Sequence, residues 1–389
     1  MDKYNSRNIE KEVKKALHSF HICAITGPRQ CGKSTMVKKL FKESRKTIFL
    51  DLEKPSDLAK LENAEWFFTS QKNMLFCIDE IQRKPDLFPL LRSLVDEWER
   101  PGCFLILGSA SRELLKQSSE SLAGRISYKR LTPFLFDELH GRFSIEQYIN
   151  AGAFPRSILA MNNETSFQWR EDFIATFLER DLAQWAAFTP ATMNRLWRMI
   201  AHLNGSTVNY SSLSMSLNCS SITVRNYIDL LASTYMLEIV HPYISNLGKR
   251  LIKAPRIYIA DSGICAALLG LQSFEEIMGH PVFGSLWEQI VLSHIRGWYP
   301  EAEILYYRTS NGAESDFVVR LRGKIYAIEC KATYSPSLTK GNYLAFEDIS
   351  PVHTFVVIPP GPSVKSWPMK SGIDAVTLPD LHGALAKNR

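Results

Sequence analysis

The sequence has no apolar run near the ~20 residues that a membrane-spanning helix needs. Its apolar stretches are short, such as MLFCI at 74–78. The N-terminal MDKYNSRNIEKEVKK lacks the apolar core of a secretory leader. Seven cysteines are scattered, odd in number and free of any C-x-x-C pair, and four of them (Cys23, Cys77, Cys103, Cys330) fall in strand-like apolar runs. Cysteines so placed act as small hydrophobes, which argues against a disulfide framework or a zinc site. Repeats and low-complexity tracts are missing too. Together these absences lead us to expect a reduced, cytoplasmic protein with no membrane contact.

What is present is globular material: 389 residues, 45% hydrophobic and 22% charged, with a net charge of +6. At about 150 residues per domain this is two or three domains, long enough to bury a core without covalent staples. The mildly basic balance permits a nucleic-acid partner without requiring one.

The segment 22–26 (ICAIT) fits a buried strand, and GPRQCGKS follows at 27–34 before an amphipathic stretch. This is G-x-x-x-x-G-K-[ST] in its strand–loop–helix setting. Gly27 and Gly32 would let the backbone of Pro28, Arg29, Gln30 and Cys31 wrap a phosphate with its N–H groups. Lys33 would neutralise the β- and γ-phosphates of ATP, Ser34 would ligate Mg²⁺, and Thr35 would add a phosphate contact. Cys31 holds a variable position and reads as filler.

A second strand, MLFCIDE at 74–80, ends in two acids. Asp79 would hold the Mg²⁺ shell, and Glu80 would polarise the attacking water. A third strand, CFLILGS at 103–109, ends in Ser109, readable as a γ-phosphate sensor or as a helix N-cap. Arg125 is the candidate arginine finger, in cis or in trans, with Arg112 and Arg130 as competitors. With TIFLDLE at 47–53 and a helix over 85–100, the expectation is a doubly wound, mostly parallel sheet with its ligand at the carboxyl ends of the strands.

The runs GPRQCGKST, LFCIDEIQRKPDLFPLLRSLVDE, LILGSAS and SLAGRISYKRLTPF resemble the bacterial and archaeal AAA-type ATPases that carry a C-terminal uncharacterised domain, DUF 4143. The resemblance implies an additional-strand, catalytic-glutamate P-loop fold over about 1–155. It supplies no biological role.

After a helical linker (156–194), residues 195–256 read as three helices and two strands, a winged helix-turn-helix. Seven Lys/Arg against Asp229 and Glu238 give this segment +5 of the chain's +6. Arg225 would start the recognition helix, and Lys249, Arg250, Lys253 and Arg256 would form a wing meeting DNA phosphates. The same module serves equally for protein contact.

The last segment, 257–389, contains SDFVVRL and KIYAIECK joined at Arg322-Gly323. A two-residue hairpin loop there sets Asp316 opposite Glu329 and puts Lys331 on the same face. This D…E-x-K pattern resembles the PD-(D/E)XK nucleases, a restriction-endonuclease-like α/β fold. The resemblance implies that Asp316 and Glu329, with Glu288 upstream, hold a second Mg²⁺ or Mn²⁺ while Lys331 handles the water. Three readings follow: an ATPase coupled to DNA binding and cleavage, a nucleotide-driven switch or scaffold that binds a partner without cleavage, and a DNA-binding regulator. A trans-acting arginine would require a homo-oligomer.

Overall fold

The computed structural model describes residues 4–41, 46–108, 122–181, 189–244 and 251–387. These form two compact units. The first is 1–134 with 233–235, and the second is 135–232 with 236–389.

In the first unit, strands β1 (Ile22–Thr26), β2 (Thr47–Asp51), β3 (Leu75–Asp79), β4 (Phe104–Gly108) and β5 (Ile126–Arg130) form one parallel sheet. Its order is β2-β3-β4-β1-β5. Buried strands of a parallel sheet are apolar on both faces because helices cover both. Ile22 and Ala24 enter one core with Phe76, Ile78, Phe104, Ile106 and helix Leu87–Trp98. Cys23 and Ile25 enter the other with Cys77, Leu105 and helices Glu10–Ser19 and Lys33–Phe41. On the first face Phe68, Phe76 and Phe104 pack ring on ring. The strand expected between the phosphate-loop strand and the acid-bearing strand is β4, and it lies there.

The second unit begins at Leu135, so the expected boundary at 155 falls inside it. Its three central helices are Pro190–His202, Tyr210–Leu217 and Ser221–Ser233. Strands β6 (Leu237–Pro242) and β7 (Arg256–Ile259) follow and pair antiparallel. The expected division at 256/257 is not a boundary between sheets. β6 also runs parallel to β8 (Glu303–Arg308), so the pair is continuous with one eight-stranded sheet. That sheet continues through β9 (Glu314–Leu321), β10 (Lys324–Cys330), β11 (His353–Ile358), β13 (Ile373–Thr377) and β12 (Trp367–Lys370). Sequence pattern alone cannot show that a strand's second edge is occupied.

Arg170, on helix Asn163–Thr176, is fully buried. Its guanidinium donates to Asn150 O (2.7 Å), Gly263 O (3.1 Å) and Ser166 O (3.2 Å). Burial holds its pKa down at about 10 despite nearby Asp261. Asp261 in turn accepts from the backbone N–H of Ala153 (2.7 Å) and Ile264 (2.9 Å). Among the described residues no helix is long and apolar enough to cross a membrane. All seven cysteines are free and six are buried.

Replacing Arg170 by Met strands two interhelical carbonyls in the core, a loss of roughly 2–5 kcal/mol. The expected result in urea titration is a lower midpoint for unfolding of the second unit, with the first unit's transition unmoved.

Candidate functional site

The phosphate loop leaves β1 in a conformation that glycine permits. Gly27 has φ +150° and Gly32 φ +99°. A β-carbon at Gly27 would lie 2.1 Å from Leu131 O, so no other residue fits without moving the backbone. Leu131 N donates to Thr26 O (2.8 Å), which brings the chain after β5 against the loop. The Cys31 thiol is buried and faces Leu131 O (3.7 Å), as expected of a packing residue. Arg7, which sequence reasoning missed, fixes the loop from behind. It donates to Cys31 O (3.1 Å), Thr132 O (2.7 Å) and Pro133 O (3.0 Å) and lies 4.6 Å from the Phe134 ring centre. No motif marks such a residue 20 positions before the loop.

Lys33 is buried and donates to Gly27 O (2.9 Å) and Pro28 O (2.8 Å), so its ammonium lies within the loop. Ser34 Oγ donates to Asp79 Oδ2 across the carboxyl ends of β1 and β3. Thr35 is exposed on the same helix turn. Ser34, Lys38, Asp51, Lys54 and Asp79 line a cleft beside the loop. Glu80 has φ +53°, a left-handed conformation that costs about 1–2 kcal/mol for such a residue. Strain of this kind gathers where geometry serves function. The Gln82 amide donates to Glu80 Oε2, and Glu80 N donates to Asp79 Oδ1 (3.1 Å). Arg29 and Arg83 both approach Glu53, at 4.0 and 3.3 Å.

Arg125 is not on this edge. It precedes β5, its carbonyl accepts from Ile22 N (3.1 Å), and its guanidinium pairs with Asp96. A five-residue strand, about 17 Å, separates it from the loop of its own chain. That corrects the cis reading: strand direction, invisible in the motif, sends Arg125 to the opposite end of the sheet. Arg130, paired with Thr26, lies at the loop's edge. Ser109 and Arg112 lie outside the described residues, as do Lys249 and Arg250.

In the second unit, Arg322 (φ +52°) and Gly323 (φ +78°) make the left-handed two-residue turn that a β-hairpin favours. The register runs from Leu321↔Lys324 to Phe317↔Ile328. One residue further along it, Asp316 and Glu329 come together. Cys330 N donates to Asp316 Oδ2 (2.8 Å), and Lys331 Nζ to Glu329 Oε1 (2.8 Å). Glu288, on helix Phe283–Trp298, joins them and accepts from Tyr258 OH (2.7 Å).

Arg256 is the correction here. Expected in an exposed wing, it is buried, with its guanidinium 4.8 Å from the Tyr306 ring centre. It pairs with Glu314, and its Nη1 lies 3.6 Å from Asp316 Oδ1 and 3.8 Å from Glu288 Oε2. It stands at the start of β7, a strand buried at all four of its residues. Burial, then the neighbouring Asp316, pushes both Glu288 and Glu329 up to about 8, and burial raises Asp316.

The metal set expected here does not fit this arrangement. Asp316 Oδ1 and Glu288 Oε2 both face Arg256, Glu288 Oε2 also accepts from Tyr258 OH, and Asp316 Oδ2 accepts from Cys330 N. Among the described residues, Glu329 Oε2 is a buried carboxylate oxygen with no hydrogen-bond partner. Among the described residues no group of three or more His, Cys, Asp or Glu is arranged to hold a metal ion. Of the nucleic-acid candidates, Arg225 and Lys253 are exposed, and Arg225 lies 4.9 Å from the Tyr210 ring centre.

The raised carboxyls set a pH dependence. Between pH 4.5 and about 8 the folded unit keeps protons that the unfolded chain releases, so stability is lost as pH rises through that window. Thermal unfolding of the second unit is expected at lower temperature at pH 8.5 than at pH 5.5, and Glu329→Gln is expected to flatten that slope.

Three family models match consecutive stretches of the chain. They are an AAA domain over residues 19–140, a domain of unknown function (DUF8612) over 142–275 and a domain of unknown function (DUF4143) over 283–381. The uncharacterized protein Rv2008c of Mycobacterium tuberculosis is 37% identical over 354 residues, 91% of this chain and 80% of its own length. The uncharacterized protein Mb2031c of Mycobacterium bovis matches with the same figures. Among solved structures, the Walker-type ATPase PABY2304 of Pyrococcus abyssi aligns with 68% of this chain and 96% of its own, at 13% identity and a TM-score of 0.48. AMPPCP-bound DnaA from Aquifex aeolicus aligns with 58% of this chain and 86% of its own, at 12% identity and a TM-score of 0.30. With its AAA domain first and its DUF4143 domain last, the chain belongs, alongside the two mycobacterial proteins, to the family of AAA-type ATPases that carry a C-terminal DUF4143 domain.

Proposed function

We propose that the protein is an ATP-hydrolysing switch whose C-terminal domain binds a partner without cutting it. The observation that carries the first half is the Ser34 hydroxyl set on the Asp79 carboxylate, with Glu80 next in the chain and Lys33 within the loop. In this reading the loop N–H groups from Arg29 to Ser34 take the phosphates of ATP, and Lys33 exchanges its loop carbonyls for the β- and γ-phosphates. Ser34 and Asp79 are the residues that would hold Mg²⁺. When bound, the ion supplies charge neutralisation at the phosphates. Glu80, oriented by Gln82, accepts a hydrogen bond from the attacking water and takes its proton. Arg130 and Arg29 are the arginines on the loop's edge that can meet charge growing on the γ-phosphate.

The second half rests on Arg256, which claims the carboxylates that cleavage would assign to a metal. Nucleic acid is the partner we favour. Arg225 and Asn226 are exposed near the start of helix Ser221–Ser233, and Lys253 is exposed before β7. An exposed cation near a helix start is suited to phosphate contact.

Lys33→Ala is expected to abolish ATP binding. Glu80→Gln is expected to keep binding while turnover falls by about 10²-fold or more. Phosphate release and a fluorescent-nucleotide titration read the two separately, and wild-type rates in both variants would sink the assignment. For the partner, Arg225→Ala with Lys253→Ala is expected to weaken duplex DNA binding and to reduce its salt slope by about 2. Fluorescence anisotropy across a salt series measures this, and unchanged binding would leave a protein partner instead.

A further inference from the structure

We propose that Arg256 is the resident cation of the C-terminal acidic cluster, placed between Glu288 and Asp316 where a D…E-x-K site would carry a divalent metal. This rests on the reading of that domain as binding without cutting, and it says why cutting is lost.

The guanidinium is almost fully enclosed, with 4% of the side chain exposed, and three carboxylates converge on it. Glu314 takes Nη2, while Glu288 and Asp316 flank Nη1 at 3.8 and 3.6 Å. Further contacts hold the acids in place. Tyr258 OH donates to the Glu288 oxygen that faces Nη1, and Cys330 N donates to the Asp316 oxygen that does not. Lys331 holds Glu329 by its Oε1. Arg308 Nε lies 3.5 Å from the other Glu314 oxygen, so three cations answer four acids contributed by one helix and two strands, and Arg256 is the one that meets three of them.

A metal ion demands carboxylate oxygens at close to 2 Å. An ion that near to both Glu288 and Asp316 would abut the guanidinium, like charge against like charge, around a side chain that is itself only 4% exposed. Arginine suits the post better than lysine, because its planar fork reaches several carboxylates at once and stays charged when buried. The arginine arrives from β7, which is continuous with the sheet that carries Asp316 and Glu329, so the same backbone that assembles the acids delivers their counter-ion.

The test is a Mn²⁺ titration of the full chain without nucleotide, with free Mn²⁺ read by electron paramagnetic resonance. Wild type and Asp316→Asn are expected to bind the same number of ions. Arg256→Met is expected to gain one equivalent, lost again when Asp316→Asn is added. Arg256→Lys keeps a cation there and is expected to match wild type, which serves if Arg256→Met does not fold. An equivalent bound by wild type and lost in Asp316→Asn would overturn the proposal, as would a folded Arg256→Met that gains none. Supercoiled DNA incubated in parallel separates the two ideas. Metal bound without cutting overturns the assignment of Arg256 alone. Cutting by wild type that Glu329→Ala abolishes overturns the non-cleaving reading as well.

Discussion

The nucleotide-binding unit depends on one close approach, Gly27 against Leu131 O. Backbone meets backbone there with no room for a side chain, so the loop's path is dictated by the chain that follows β5. Leu131 N returns a hydrogen bond to Thr26, and Arg7 ties Cys31 to Thr132 and Pro133. These contacts all come from the fold itself, and a loop held in this way spares binding part of the entropy of ordering it. Lys33, Ser34 and Asp79 take their places as a consequence of where the loop ends and the helix begins.

The two units handle buried charge in opposite ways. In the first, the acids Asp79 and Glu80 stand at the carboxyl edge of the sheet beside a cleft, partly exposed and within reach of a ligand. In the second, Asp316 and Glu329 are sunk in the sheet, beside Arg256 and Lys331 from within the fold. An open acidic edge is fit for exchange of ligands. A closed and internally neutralised cluster is fit for holding a shape, and its raised carboxyls register the cost of enclosing so many acids together.

Much of this was legible in the sequence, for physical reasons. Glycine at 27 and 32 with lysine and serine after them leaves few alternatives to a phosphate loop, and the apolar strand ending in Asp79 and Glu80 follows from strand periodicity. The hairpin was legible because Arg322-Gly323 allows a two-residue turn and thereby sets the register. What stayed hidden depends on distance in sequence. Arg256 precedes Asp316 by 60 residues and lies in a basic run that hid its burial. Arg7 carries no motif. That Arg125 is remote from the loop of its own chain stayed hidden because the edge at which a residue stands depends on strand direction and order. The strands β6 and β7 were read as a free wing because pairing with β8 leaves no mark in their own residues.

The measurement that bears most directly on the account is steady-state phosphate release from ATP by the full chain as a function of Mg²⁺, compared with Asp79→Asn. The account predicts turnover that requires Mg²⁺ in the wild type and is lost in the variant, because Ser34 and Asp79 are the residues that would hold the ion. Release that persists in excess EDTA, or that is unchanged in Asp79→Asn, would contradict it.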